Sequence, residues 1–359
     1  MVNDTMPRMK RPSGKAAAIS AIVAALIATS AAAQQSKGPA FDLQGHRGSR
    51  GLAPENTLPA FAKGLSIGVA TLEMDAAITR DDVVVVSHDP ALNPNITRGP
   101  DGQWLDKKGP LIKDLTFAEL QRYDVGRLNP NSNYAKGFTD QVPVDGTHPP
   151  KLSDVFDLVK RSGNKEVQFD IETKVFPLAP ADTLPPEVFT RRLIAEIRKA
   201  GMEARTMIQS FDWRTLQVVK VEAREMRTVY LTAQQKFLDN ICSGAGAGTP
   251  AIAPEDCQPS PWTAGFQLKE HGSVPRMVKA AGGNIWSPYY GDLDAGKRAE
   301  AKALGLVVIP WTVNDPVQIE RMLDLAVDGI ISDRPDRVRE AMKRRGMALP
   351  PAYQVNAGA

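Results

Sequence analysis

Cysteine is almost absent from this chain. Its 359 residues include two, Cys242 and Cys257, with no histidine beside them, so a thiolate-built metal centre is excluded. In an oxidising compartment the pair can close a disulfide across the Gly/Ala/Pro-rich stretch that holds it, two free thiols being the alternative. An excess of one charge is also lacking: 44 basic residues against 41 acidic ones leave +3. Hydrophobic residues are 42% and charged residues 24%, close to the average of a folded soluble protein, which excludes a disordered chain and a membrane bundle.

No long run of strongly apolar residues occurs either. The nearest, residues 16–33, is alanine-rich, diluted by Ser and Thr, and weaker than the roughly 20 apolar residues an anchor needs. Arg8, Lys10, Arg11 and Lys15 precede it and Ala31-Ala32-Ala33 end it, the pattern of a secretory leader over 1–33 cut after Ala33. Those 33 residues hold four bases and one acid, Asp4, a net of +3, so the chain without them is neutral. Neutrality argues against nucleic-acid partners and polybasic membrane contacts. The expectation is an exported protein, periplasmic or secreted, with no stable membrane insertion after cleavage.

What is present is an alternation. Short β-branched runs at 41–45, 70–78, 166–172, 204–209, 226–231, 284–287, 306–313 and 329–332 read as strands. Helical patterns at 57–65, 152–160, 187–200, 213–223, 273–281, 295–303, 316–325 and 335–344 lie between and after them, with Pro near several starts and Gly near several ends. Eight such repeats predict an α/β fold of the (β/α)8 TIM-barrel type over 34–348; an open doubly wound sheet fits the same alternation. Two stretches fall outside the repeat. Residues 90–150 follow the second strand and its apolar neighbour 83–86, with one helical piece expected at 117–123, and 233–272 follow the fifth strand. Both leave from strand C-termini, where barrels of this kind place their sites. Residues 349–359, with Pro350-Pro351 and no periodicity, read as a frayed tail.

The chemistry-bearing residues gather at strand ends. The stretch 44–89 holds Gly45-His46-Arg47-Gly48, Pro54-Glu55-Asn56-Thr57, Leu72-Glu73-Met74-Asp75 and Ser87-His88-Asp89. The chain has four histidines in all, and two of them, His46 and His88, follow the first two strands. A capping or packing role is the ordinary reading of either one alone. Together they suit an acid and a base, since imidazole titrates near neutrality. Glu73 and Asp75 alternate on one strand and share a face, as do Glu172 and Lys174 on the next. Carboxylates facing a barrel mouth can share a hard divalent cation, Ca²⁺ or Mg²⁺; a solvated strand edge is the alternative. Asp170 shares the parity of Glu172, one level deeper. Arg47 adds a planar charged fork suited to phosphate oxygens. Metal, arginine and lysine around two histidines describe an anionic substrate undergoing phosphoryl chemistry.

In this order these residues resemble the glycerophosphodiester phosphodiesterase family. The resemblance is also carried by Glu172-Thr173-Lys174, Ser210-Phe211-Asp212, Trp311-Thr312-Val313-Asn314 and the segment from Asp328 to Pro335, so it spans nearly the whole chain after the leader. It implies a distorted (β/α)8 barrel that hydrolyses glycerophosphodiesters to glycerol 3-phosphate and an alcohol through a cyclic phosphate. His46 and His88 would be the acid/base pair, and Glu73, Asp75 and Glu172 the ligands of one divalent cation. Arg47 and Lys174 would contact phosphate, and Glu55 would buttress the mouth. Trp311 would wall the pocket, a purely packed tryptophan being the alternative. Ser332 stands where the family commonly has Thr. A phospholipase of the same fold acting on lysolipid-type diesters, and an exported binding protein without turnover, are the rival readings. The largely polar 90–150 weighs against the first, and an undamaged residue set against the second.

Overall fold

Local chain chemistry sets the register of each barrel unit. The computed structural model describes Met1, residues 41–244, Gly248 and residues 252–358; the leader expected at 1–33 lies, but for Met1, outside them. The eight barrel strands are β1 (Asp42–Gly45), β2 (Thr71–Ile78), β3 (Gln168–Thr173), β4 (Thr206–Ser210), β5 (Arg227–Thr232), β6 (Ile285–Pro288), β7 (Val307–Val308) and β8 (Gly329–Ser332). Each is followed by a helix: α1 (Leu58–Ile67), α2 (Leu152–Ser162), α3 (Pro186–Ala200), α4 (Trp213–Glu222), α5 (Val274–Ala280), α6 (Ala295–Ala303), α7 (Pro316–Asp324) and α8 (Pro335–Arg344). Side chains of Thr57, Asp212, Ser273, Asp294 and Asp315 accept backbone N–H groups at the helix starts they precede. Gly68, Gly163 and Gly201 end α1, α2 and α3 in the left-handed conformation.

The strands pair in the order β7-β6-β5-β4-β3-β2-β1-β8, all parallel. The last seam closes through Asp328 N to Val308 O (2.9 Å), Ile331 N to Pro310 O (3.0 Å) and Val313 N to Ile331 O (3.0 Å). Residues 306–313 therefore run as an extended segment, but Pro310 has no N–H to donate, and the regular ladder shrinks to Val307–Val308. The barrel expected from the alternation is present, and the open sheet is not.

Outward strand faces and helices enclose the main core, which includes Leu72, Met74, Phe61, Phe156, Phe169 and Trp213, all fully buried. The barrel interior is divided. Met207, Val229, Ile285, Ile309 and Ile331 pack together on the β4–β8 side. Buried Gln44, Thr71, Glu73, Asp75, Asp170, Glu172 and Gln209 lie on β1 to β4. So many polar groups in an interior are costly unless each has a partner.

Residues 90–150 carry turns Ile112–Asp114 and Ala135–Gly137 and a helix Phe117–Leu120 whose start is closed by a Thr116/Glu119 capping box. That helix stops short of the expected 123 because Asp124 pairs with Arg98 through both backbone groups (2.8 and 3.1 Å). The second excursion holds a hairpin, Gln234–Gln235 with Leu238–Asp239, and the disulfide Cys242–Cys257, with Cα atoms 5.2 Å apart. The tail is seated rather than frayed. Tyr353 N donates to Leu65 O (2.9 Å), Pro350 O accepts from Arg339 (2.7 Å), and Val355 and Ala357 pack on the core. Among the described residues no helix is long and apolar enough to cross a membrane.

Candidate active site

The site begins with a turn that ordinary side chains would block. After β1 the chain reverses through Arg47 (φ 49°) and Gly48 (φ 86°), and a Cβ on Gly48 would sit 2.6 Å from the Ala60 carbonyl carbon. Only glycine permits that approach without strain. The reversal is held by Asn56 N to Arg47 O (3.1 Å) and Gly48 N to Glu73 O (3.1 Å), which tie it to β2 and to the start of α1. His46 is thereby set at the C-terminal mouth, and the Arg47 backbone N–H is aimed at Glu73 Oε2 (2.7 Å).

β2 and β3 are paired with Glu73 opposite Asp170 and Asp75 opposite Glu172. The period of two then stacks the carboxylates of one face. One oxygen from each of Glu73, Asp75 and Glu172 lies within 4.8 Å of the others, all buried. Glu73 Oε1 accepts from Gln209 Nε2 (2.6 Å), and Asp75 Oδ2 accepts from Asn56 Nδ2 (2.8 Å). Glu172 Oε1 accepts from Lys174 Nζ (2.9 Å), while buried Asp75 Oδ1 has no hydrogen-bond donor. Burial and the neighbouring Asp75 push the Glu73 pKa well up, and burial raises Glu172 to about 7. Asp75 goes the other way: against the cost of burial, His88, Lys174 and Arg47 hold it low. Three buried oxygens, one an orphaned acceptor, under mutual repulsion fit a hard divalent cation, which would offset both.

Each histidine is held by an aspartate. His46 Nδ1–H donates to Asp333 Oδ1 (2.6 Å), and His88 Nδ1–H donates to Asp89 Oδ1 (2.9 Å), which leaves both Nε2 atoms without those partners. His46 Nε2 lies 3.9 Å from Glu73 Oε2. Burial and Arg50 lower the His46 pKa to about 4, and burial with Arg47 and Lys174 lowers that of His88. These shifts favour the neutral ring, the form that accepts a proton.

Behind these groups runs an ionic network. Arg47 Nη1 donates to Glu55 Oε1 (2.5 Å), and Arg47 Nε lies 3.3 Å from Asp75 Oδ2. Tyr134, from the 90–150 excursion, donates to Glu55 Oε2 and accepts from Arg50 Nη1 (3.0 Å). Arg50 Nε in turn donates to Asp333 Oδ1 (2.6 Å), and Asn314 Nδ2 donates to Asp333 Oδ2 (2.6 Å). A cavity of about 120 Å³ is lined by His46, Arg47, Arg50, Glu73, His88, Glu172, Lys174, Gln209, Phe211, Leu231, Trp311, Thr312 and Ile331.

Of the nine residues singled out in the sequence, seven line this cavity. Asp75 and Glu55 stand behind the wall, Asp75 within the carboxylate cluster and Glu55 buried against Arg47. Trp311 both lines the cavity and anchors itself, Nε1 donating to Ser287 O (3.0 Å). Sequence reasoning gave no role to Asp333, Asp89, Arg50, Tyr134, Gln209 or Asn56. Asp89 and Asn56 stood inside quoted motifs beside His88 and Glu55, and Asp333 inside the last one, so proximity was the signal available for them. Nothing local marked the others.

The model of the glycerophosphoryl diester phosphodiesterase family matches residues 46–337. The chain belongs to that family. A glycerophosphodiester phosphodiesterase of Caldanaerobacter subterraneus is 25% identical over 301 residues, 84% of this chain and 97% of that one. One from Bacillus altitudinis is 28% identical over 301 residues, 83% and 98% of the two chains. Among solved structures, a candidate glycerophosphoryl diester phosphodiesterase of Silicibacter pomeroyi DSS-3 superposes with a TM-score of 0.74 at 33% identity, covering 87% of this chain and 96% of that one. A phosphodiesterase of Oleispira antarctica, solved with its product sn-glycerol-3-phosphate, shares the fold (TM-score 0.58, 20% identity, 84% and 96% covered). This family member is an enzyme, a phosphoric diester hydrolase acting on glycerophosphodiesters, and its buried acidic cluster is compatible with a divalent metal.

Proposed function

We propose that the chain hydrolyses glycerophosphodiesters to sn-glycerol 3-phosphate and an alcohol by histidine acid/base catalysis through a cyclic phosphate, with one divalent cation, Ca²⁺ or Mg²⁺, as cofactor. The observation that carries this reading is the meeting, in one cavity, of two imidazoles each oriented by its own aspartate with the Glu73–Asp75–Glu172 cluster. Glu73, Asp75 and Glu172 would hold the cation, which would supply Lewis-acid stabilisation of the negative charge developing during phosphoryl transfer.

The chain's own groups do the rest. One imidazole Nε2 takes the proton of the glycerol 2-hydroxyl as that oxygen attacks phosphorus. The other histidine, charged beside its aspartate once the anionic diester is bound, gives its Nε2 proton to the departing alcohol oxygen. Water then opens the cyclic ester with the roles exchanged. Arg47, clamped by Glu55, presents its guanidinium to the phosphoryl oxygens, and Lys174 neutralises the carboxylates that would otherwise repel an anionic substrate. Asp89 and Asp333 fix each ring's tautomer and stabilise the imidazolium that forms. The basic, alanine-rich leader supports action outside the cytoplasm, in the periplasm or beyond.

The test is release of glycerol 3-phosphate from glycerophosphocholine with Ca²⁺, Mg²⁺ or chelator, by wild type, His46→Ala and His88→Ala. Each substitution is expected to lower kcat by roughly 10²- to 10⁴-fold. Equal turnover by all three proteins would sink the acid/base roles, and turnover indifferent to thorough chelation would sink the cation.

A further inference from the structure

At the candidate site, Asp75 Oδ1 and Gln209 Oε1 are buried acceptors with no donor among the described residues. The first belongs to the carboxylate cluster, where a bound cation would satisfy it. The second has no such explanation. Gln209 Nε2 donates to Glu73 Oε1 (2.6 Å), and this settles which way the amide lies, because the reversed group would set oxygen against carboxylate. Its nitrogen faces the cluster, and its oxygen therefore turns away from Glu73.

The barrel sets the position of this amide. Gln209 is paired with Glu172 of β3 on one side and with Val229 of β5 on the other, so it stands at the border between the ionic and aliphatic halves of the interior. It lines the catalytic cavity together with Leu231 and Ile331, whose side chains have no proton to donate. The cationic donors of the ionic half are committed elsewhere: Arg47 to Glu55, Arg50 to Asp333 and Lys174 to Glu172. An amide oxygen buried without a donor is costly, and one at a cavity wall can be satisfied by what enters the cavity.

We propose, resting on the reading above, that Gln209 Oε1 accepts a hydrogen bond from the 1-hydroxyl of the glycerol unit, which makes Gln209 a specificity-determining residue for diesters in which that hydroxyl is free. The chemistry of the substrate selects this group. The phosphodiester is an anion with no proton to give, and an esterified choline has no O–H or N–H. The 2-hydroxyl gives its proton to an imidazole as it attacks phosphorus. The 1-hydroxyl is the donor that remains, and it is the same whichever alcohol departs. One amide then joins Glu73 to the substrate, since the bond that holds a carboxylate of the cluster also aims the acceptor that seats the glycerol. A diester without the 1-hydroxyl leaves Oε1 unpaired, and a site built around a hydroxyl strongly rejects the analogue that lacks it.

The experiment compares sn-glycero-3-phosphocholine with its 1-deoxy analogue, which keeps the attacking 2-hydroxyl, in wild type and Gln209→Leu. Gln209→Met, unbranched like glutamine, takes its place should the leucine protein fail to fold. Wild type is expected to favour the parent diester by roughly 10- to 100-fold in kcat/KM. Either variant also loses the hydrogen bond to Glu73, so turnover of both substrates falls, but the preference shrinks to within threefold. Equal kcat/KM for the two diesters in wild type overturns the proposal. So does a preference that survives in the variant, the result expected if Gln209 serves Glu73 alone. Calorimetry with glycerol 3-phosphate and its 1-deoxy analogue repeats the comparison without turnover. A wild-type Kd about tenfold lower for glycerol 3-phosphate, with no turnover of either diester, would strike the catalytic reading and leave the subsite standing; equal Kd values overturn the subsite itself.

Discussion

Replacing Asp333 with asparagine removes one negative charge where donors from His46, Arg50 and Asn314 converge. His46 Nδ1 and Arg50 Nε each lie 2.6 Å from Oδ1, and Asn314 Nδ2 lies 2.6 Å from Oδ2. The amide keeps the side-chain shape and one acceptor, so the imidazole stays packed, but it loses the partner for its charged form. A hydrogen bond to a charged group contributes about 1.5–3 kcal/mol, which at 1.36 kcal/mol per decade is a fall in kcat of roughly 10- to 150-fold. Arg50 meanwhile loses its carboxylate partner and keeps neutral ones, the amide oxygen, the Tyr134 hydroxyl and the Phe138 ring, and an undercompensated buried guanidinium costs about 2 kcal/mol, a Tm loss of several degrees.

The assay is steady-state release of glycerol 3-phosphate at saturating cation, with circular dichroism melts to fix a temperature at which both proteins are folded. A double-mutant cycle with His46→Ala supplies the decisive leg. If Asp333 acts through His46, its substitution in the His46→Ala protein changes kcat by less than twofold. A kcat within twofold of wild type in the single variant, or a full loss on the His46→Ala background, would refute the pairing.

Tyr134→Phe deletes the hydroxyl that joins Glu55 to Arg50, leaving two buried groups each short of a partner; it should cost about 1–2 kcal/mol in a thermal melt and lower kcat several-fold. Glu172 takes its proton at higher pH in the folded protein, at about 7, than in the unfolded chain, so without a cation stability declines as pH rises from about 4.5 to 7. Cation binding needs the carboxylate form, so the stability gain from one fixed Ca²⁺ concentration, about 2.7 kcal/mol where that is 100 times Kd, should raise Tm more at pH 8 than at pH 6 and be absent in Glu172→Gln. Gly48→Ala places a Cβ 2.6 Å from the Ala60 carbonyl carbon at φ 86°. We expect a stability loss of about 3 kcal/mol or more, read by urea titration, with glycerophosphodiester turnover falling beyond the folded fraction.

What the sequence made legible follows the range of the interaction. Strand parity needs only neighbours two residues apart, and it put Glu73, Asp75 and Glu172 on the right faces. Helix starts are equally local: Asp294 caps α6, Pro335 opens α8, and both helices begin and end where periodicity predicts. Boundaries slipped where a side chain intervened. The third strand starts at Gln168 rather than 166 because Asn164 Oδ1 accepts from the N–H groups of Glu166 and Val167, both at 2.8 Å, and spends them in a turn.

The groups that orient the catalytic candidates are separated from them by long stretches of chain. Asp333 is 287 residues from His46, Gln209 is 136 from Glu73, and Tyr134 is 79 from Glu55. No local period encodes such pairs; the ladder between β8 and β1 brings the first together, and the 90–150 excursion supplies the last. That excursion leaves from the end of the barrel where sites are placed, so it can shape the entrance. Tyr134 gives it a second function, because one hydroxyl touches both Glu55, which clamps Arg47, and Arg50, which feeds Asp333 and His46. A rim that merely shaped the entrance would be free to vary in sequence and length. One that completes the charge balance behind His46 is not, since its loss leaves Arg50 and Glu55 each short of a buried partner they cannot replace from water.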